Sequence, residues 1–392
     1  MKKLFITFLT IILVLFCSCA NVDDMLEPTM PQNNEVVFSS TPVANHAPAK
    51  GVKKSPVHTK EDMTSNFGVF GYVHPATNVS GGYLMRNAEY VVASGYAANG
   101  GKYYWPKADN LNDIKVNFVA LYPYSTTAYA LGVDDTITYN LSATTLDSAS
   151  CVDVLWATRY KMSPVHHQFP AANDTTEKVQ LHFKHALSLV EFWAKKADGQ
   201  NITKVEVTSI EFLDGSDAAA DIVTDGTLKI YAKETTVATE SDYTPIFTAG
   251  STKVNNFNFA VHSVKDSLLG GSSWSYPGDV LSNVIMIPQA VPAKVRLTFN
   301  ITITNGSDAI VYSGRTVTRT INTGTSENGQ TYVANWQSGK RYIYRFYISA
   351  DDVTFDVVVD DWESGTNPLD VWDHNEIAYV ERFFDKASTM QA

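Results

Sequence analysis

The 392-residue sequence predicts an all-β protein, two antiparallel β-sandwich domains in series. Three observations carry that expectation. Segments rich in β-branched and aromatic residues recur along the body: Phe67–Val73, Tyr90–Ala93, Val116–Tyr122, Val205–Phe212, Val295–Ile303 and Tyr342–Ile348. Several alternate apolar and polar positions, as half-buried strands do. Clusters such as Asn99-Gly100-Gly101 and Asn305-Gly306-Ser307-Asp308 punctuate them at hairpin spacing, and helical periodicity is scarce before residue 375.

From the N-terminus, Lys2 and Lys3 precede an apolar run from Leu4 to Phe16 that is too short to span a bilayer comfortably as a permanent helix. The run ends in Phe16-Cys17-Ser18-Cys19, which resembles a bacterial lipobox: residues 1–18 form the leader and Cys19 becomes the lipidated N-terminus. The alternatives are an ordinary leader cut nearby, or Cys17 as acceptor. Asp23 and Asp24 resemble the acidic signal that sends some lipoproteins to the outer face of the outer membrane. Several acyl chains on one cysteine make a firm anchor.

Residues 19–66 read as a lipid tether containing one short apolar strand, Glu35–Ser39, whose inward candidates are Val36, Val37 and Phe38. Residues 40–66 then lack hydrophobic periodicity and carry Lys50, Lys53, Lys54 and Lys60 among Pro, Ala and Ser. So long a structureless connection inside a compact domain is often functional or a protease target. The alternative is a plain flexible tether. The first sandwich is expected over 67–175, with strand 35–39 belonging to it, and the second over 176–365. The polar, Pro-containing stretch 163–178 is the boundary, with 198–202 the other candidate. Phe355–Trp362 reads as the last domain strand, and Phe355, Val357, Val359 and Trp362 are the side chains of a candidate terminal or donor strand. Apolar residues on both its faces suggest a central strand, or one bulged near Asp360-Asp361. In the tail, 366–392, Leu369–Val371 is a short extended candidate; Ile377, Val380, Phe383 and Phe384 follow at helical spacing behind Asn375 as N-cap.

Charge and chemistry exclude several classes of function. The formal charge is -11, and removing Lys2 and Lys3 with the leader leaves about -13, so phosphate backbones are repelled and nucleic acid is not an expected partner. With Cys19 lipidated, Cys151 is a lone thiol and no disulfide framework forms. His182 and His185 sit three apart in an apparent strand, on opposite faces, and His166-His167 lacks ligand-spaced partners; no metal or other cofactor is expected. Asp134-Asp135 and Asp351-Asp352 lack the ordered spacing of a calcium loop. No phosphate loop or serine elbow occurs, so no catalytic residues are assigned. Tyr103, Tyr104 and Trp105 read as core aromatics, with a sugar-stacking platform as the alternative.

A family resemblance runs through the same residues. Tyr103-Tyr104-Trp105-Pro106 with Val116–Tyr124 resembles the "YYWP … FFAYYP" pattern of the fimbrillin (Mfa-like) family of type V pilus subunits. Asp153–Ala157, Leu181–Ser188, Val284–Gln289, Trp336–Tyr344 and Asp361–Glu363 follow in family order. The resemblance spans about residues 36–365. It implies transthyretin-like sandwiches, a lipoprotein precursor on the outer membrane, and assembly into a surface fimbria by protease-triggered donor-strand exchange. Other pilus subunits, and a host receptor or glycan, are the implied partners. The family's members matured by arginine-specific proteases carry Arg in the cleaved loop, whereas the first arginine here is Arg86, so a protease acting here must accept lysine. The alternative function is a surface-anchored glycan- or host-binding lipoprotein that does not polymerise.

Overall fold

The computed structural model describes residues 35–41, 65–91, 97–108, 113–132, 135–142, 153–164, 179–196, 202–233, 245–255, 280–305, 307–324, 331–349 and 353–361. These form strands throughout, with no α-helix among the described residues. The first ten are β1 (Phe38–Thr41), β2 (Phe67–Val73), β3 (Gly82–Val91), β4 (Ala97–Ala98), β5 (Val116–Tyr122), β6 (Tyr129–Leu131), β7 (Thr136–Ser142), β8 (Leu155–Met162), β9 (Val179–His182) and β10 (Lys184–His185). Next come β11 (Ser188–Lys196), β12 (Ile202–Leu213), β13 (Ile222–Val223), β14 (Asp225–Tyr231), β15 (Ile246–Ala249) and β16 (Lys253–Val254). The last five are β17 (Val280–Met286), β18 (Lys294–Asn305), β19 (Asp308–Thr320), β20 (Lys340–Ile348) and β21 (Val353–Asp361). The tail that the sequence predicts to be helical lies outside the described residues.

A six-stranded antiparallel sheet, in the order β10-β8-β5-β2-β3-β4, organises the N-terminal half. Its central strands are buried on both faces, so they read as nearly continuous apolar runs rather than strict alternations. In β2, Phe67, Val69 and Val73 point into one core while Phe70 and Tyr72 point into another. In β5, Val116, Phe118, Ala120 and Tyr122 divide from Val119 and Leu121 in the same way. Gly68 of β2 lets Asn87, at φ 54°, close against the strand; a Cβ there would lie 2.0 Å from Asn87 Oδ1. Such close approach is what glycine in a strand permits.

The C-terminal half is a sandwich of a four-stranded sheet, β17-β11-β20-β21, over a three-stranded sheet, β12-β18-β19. Phe192, Phe212, Trp336, Tyr344 and Phe355 fill the space between them. Stacking of Phe192 on Tyr344 and of Tyr344 on Phe355, at 5.5 and 6.0 Å, links three adjacent strands. Within the four-stranded sheet, β11 and β20 run parallel.

A third core joins the halves. The four-stranded sheet β15-β14-β7-β6 takes strands from both halves of the sequence, and lays Ile137, Tyr139, Leu228 and Ile230 against Phe70, Val119 and Trp156. Leu189, Ile285 and Ile287 complete it. The strands following residue 176 also begin in the N-terminal half: Val179, Leu181 and Phe183 pack in the β1–β5 core, and β10 pairs with β8. The chain enters the second sandwich only at β11.

Two expectations are corrected at the last strand. Among the described residues β21 pairs only with β20, so it is an edge strand rather than a central one, and its register from Val353↔Ile348 to Asp361↔Lys340 is unbroken by any bulge. Its apolar residues do fall on two faces, but Asp356 on the second face is matched by Arg345 of β20 instead of by a second neighbouring strand.

Candidate functional site

The first described segment, residues 35–41, completes the N-terminal core from outside the six-stranded sheet. Its hydrogen bonding changes partner along its length. Glu35 forms an antiparallel bridge with Tyr104, and Val36 N–H donates to Tyr103 O at 2.8 Å. Beyond that point Val37 O accepts from Val179 N–H at 2.8 Å, and β1 runs parallel to β9 from Phe38↔Val179 to Thr41↔His182. Apolar side chains dictate this path. Val36 and Phe38 are 2% and 1% exposed, while Val37, pointing the other way, is half-buried. Against the strand expected at Glu35–Ser39, the ladder runs from Phe38 to Thr41, with a single bridge at Glu35 ahead of it.

Phe38 is held edge-on by two rings. Tyr90 lies 4.9 Å away at 90° and Phe118 5.2 Å away at 86°, the T-shaped geometry aromatic quadrupoles favour. Tyr90 stacks in turn on Phe67, and its hydroxyl donates to Met85 Sδ at 3.8 Å. Burial, with Tyr103 and Glu35 close by, pushes the Tyr90 phenol well above the usual tyrosine range, so it stays protonated. At the rim, Glu35 Oε2 meets Lys102 Nζ at 2.6 Å, and that hydrogen bond holds the Lys102 ammonium above its ordinary value. Trp105 is buried at 5.7 Å from Phe118, Tyr103 packs on the core, and Tyr104 is 50% exposed. Two of the three aromatics therefore serve the core, and the third faces solvent.

At the other end of the described chain, Phe355 and Val357 of β21 are 3% and 2% exposed in the C-terminal core, whereas Val359 is 42% exposed. Arg345 holds Asp356 through two parallel hydrogen bonds, Nε to Oδ1 at 2.6 Å and Nη2 to Oδ2. Arg341, four residues earlier on β20 and on the same face, holds Glu191 of β11 through Nη2 at 2.7 Å and Nε at 3.2 Å. Trp193 Nε1 donates to the same Glu191 oxygen at 2.9 Å. These buried pairs escaped sequence reasoning, because a charged residue inside a strand does not announce its partner. A third, His185 Nδ1 on Asp153 at 2.9 Å, sits where the chain passes between the cores; Ser338 Oγ donates to His185 O beside it. His182 is exposed and His185 buried, so the structure does not bring them together. Among the described residues no three His, Cys, Asp or Glu side chains gather as a metal site, and no helix is long and apolar enough to cross a membrane.

Cys19, Lys50, Lys53, Lys54, Lys60, Cys151, His166, His167 and Trp362 lie outside the described residues. The site that emerges is a groove bounded by Tyr103-Tyr104 and β9 and floored by Tyr90 and Phe118, with the chain's own segment 35–41 in it.

Comparison with curated proteins finds no match. Solved structures of similar shape include a fimbrial protein from Bacteroides vulgatus, 15% identical, covering 84% of this chain and 100% of its own, with a TM-score of 0.48. A candidate cell adhesion protein from Bacteroides uniformis is 18% identical, with 84% and 100% covered and a TM-score of 0.45. The C-terminally truncated tip fimbrial protein Mfa3 from Porphyromonas gingivalis is 9% identical, with 76% and 95% covered and a TM-score of 0.33. The family model described as Fimbrillin-like matches residues 57–362, most of the length, and the chain belongs to that family.

Proposed function

We propose that the protein is a subunit of a cell-surface fimbria, structural or adhesive, exported as a lipoprotein on Cys19 and assembled by strand exchange. In this reading cleavage after one of Lys50, Lys53, Lys54 or Lys60 releases Val36, Val37 and Phe38 from the N-terminal core. An extended segment of another subunit then takes their place. The observation that carries it is the burial of Val36 and Phe38 in a segment that ends at Thr41, 26 residues before β2 begins, and that joins the core only at its margin. Losing the segment leaves Val179 N–H and Tyr103 O without partners. Unpaired main-chain groups next to an apolar trough are what a donated strand satisfies. The two buried side chains, Val36 and Phe38, bring a gross ~3–6 kcal/mol before ordering costs.

The same reading keeps β21 at home. Removing it would take Asp356 and its two hydrogen bonds away from the buried Arg345 guanidinium, a larger cost than exposing apolar surface alone. Phe355 and Val357 are therefore domain residues, and any segment given to a neighbour comes from beyond Asp361. In this reading the chain has no catalytic role. Its place is the outer membrane surface, then the fimbria.

The test is the intact mass and N-terminal sequence of the protein recovered from the cell surface, with gels run heated and unheated. A start between Gly51 and Glu61, together with high-mass bands that collapse on boiling, is the expected result. A lipidated start at Cys19 with a single monomer band overturns it, and leaves the non-polymerising glycan- or host-binding lipoprotein.

A further inference from the structure

The groove around residues 35–41 is selective, and its selectivity follows from the contacts of the segment now in it. We infer that it accepts an extended segment reading acid, aliphatic, any residue, aromatic, and that it accepts it in one direction only, parallel to β9. The inference rests on the strand-exchange reading above and specifies the partner's chemistry.

Each position follows from a separate contact. The aromatic position is the best defined. Tyr90 and Phe118 meet the Phe38 ring at right angles, 90° and 86°, so two edge-to-face contacts are made at this position. Only a ring can make them; an aliphatic side chain forfeits both and leaves part of the site empty, and a void in a packed core has no neighbours to recover the lost dispersion. Two residues earlier, the Val36 site is a closed apolar pocket, with only 2% of the side chain reaching solvent. The intervening Val37 is half-buried and turned away from the core, so the site places little demand on it.

Charge selection comes from Lys102. Its ammonium stands 2.6 Å from Glu35 Oε2, at the first position of the pattern. In a chain of net charge -11, an acidic incoming segment is repelled at long range, so an acid at this one position must be favoured locally. Lys102 supplies that local preference. It is 62% exposed and the carboxylate 19%, so the effect is a modest one.

Direction follows from the main chain. Val36 donates to Tyr103 O on one side, and Val37 accepts from Val179 N–H on the other. A reversed segment keeps its side chains on alternating faces but cannot meet Tyr104 antiparallel and β9 parallel at once. The order of the pattern is thereby fixed together with the order of the pockets.

The experiment uses the full chain carrying a specific protease site between Lys50 and Glu61, nicked and then offered labelled peptides. The peptides copy Asn34–Thr41, carry Phe38→Ala or Glu35→Lys, or run in reverse order; native mass spectrometry and anisotropy report exchange. The copy is expected to displace the resident segment. The Phe38→Ala peptide should bind about 100-fold more weakly and the Glu35→Lys peptide about threefold more weakly. The reversed peptide should not enter. In a Lys102→Glu chain the two charge variants should exchange their ranking, which a merely structural Lys102 would not produce. Equal binding by the copy, the Phe38→Ala peptide and the reversed peptide overturns the selectivity. Failure of every peptide, the copy included, to enter the nicked chain overturns the strand-exchange reading beneath it.

Discussion

The two ends of the described chain, β1 and β21, solve opposite problems. Both are edge elements that complete a sandwich core with alternate apolar side chains: Val36 and Phe38 at one end, Phe355 and Val357 at the other. Their attachments differ in kind. β1 is four residues long and pairs parallel with an equally short β9, and the ion pair that Glu35 makes just ahead of it stands at the solvent rim. β21 is nine residues long, pairs antiparallel with β20 over its whole length, and is pinned by a buried, doubly bonded Arg345–Asp356 pair. A strand held by side-chain pockets and few main-chain bonds is replaceable by another that offers the same pattern. A strand that carries one half of a buried charge pair is not, because its departure leaves the other half in a dry site.

The comparison breaks most sharply at Asp356. Replacing it with Ala removes the counter-charge of Arg345, which is only 6% exposed, and should lower the unfolding free energy by about 3–5 kcal/mol. Denaturant melts followed by tryptophan fluorescence check this. The double change Arg345→Met with Asp356→Leu should recover most of the loss, since no charge is then left buried. If the single and double variants melt alike, the pair is not what fixes β21.

Phe38→Ala is the matching change at β1, with a smaller effect on the whole molecule. Emptying a Phe site in a core typically costs about 3–5 kcal/mol when the surrounding structure cannot respond. Here the segment can detach by itself, so the global loss is limited to what its local opening costs, about 2 kcal/mol. Hydrogen exchange separates the two cases. Val179 N–H, which donates to Val37 O, should lose protection in Phe38→Ala while the amides of β11 and β20 keep theirs. A uniform loss over both sandwiches would show that β1 is as firmly integrated as β21.

How much of this was legible in the sequence depends on what each residue must find. Phe67–Val73 and Val116–Tyr122 announce β2 and β5 at their observed bounds, because a run buried on both faces is apolar whatever its neighbours are. The apolar character of Val36 and Phe38 was equally visible. Their partner was not: β9 follows a polar stretch more than 130 residues later, and no local pattern states that Val179 meets Phe38. The same holds for β14, which pairs with β7 on one side and β15 on the other, and so ties the halves together through a third core. Asp356 was misleading for a related reason. Its strand looked apolar on both faces and hence central, yet the charge in its middle was the sign of a single, specific neighbour.

The smallest expected effect lies at the rim of β1, and it separates holding from selecting. Glu35 and Lys102 are close enough for a strong hydrogen bond, but Lys102 stands largely in water, where solvent screens the charges. Glu35→Gln should therefore change the melting temperature very little, and that little should vanish in high salt. The raised value of the Lys102 ammonium gives the matching pH dependence. A group protonated more tightly in the folded chain contributes below its unfolded value, and its contribution is lost as pH rises through the folded one. The pair is thus intact at neutral pH and weakens only in strong alkali. Titration of Glu35→Gln against the unaltered chain between neutral and alkaline pH checks this: the two melting curves should draw together at the alkaline end. If they stay apart there, Glu35 acts through packing rather than charge, and Lys102 has no part in choosing what fills the groove.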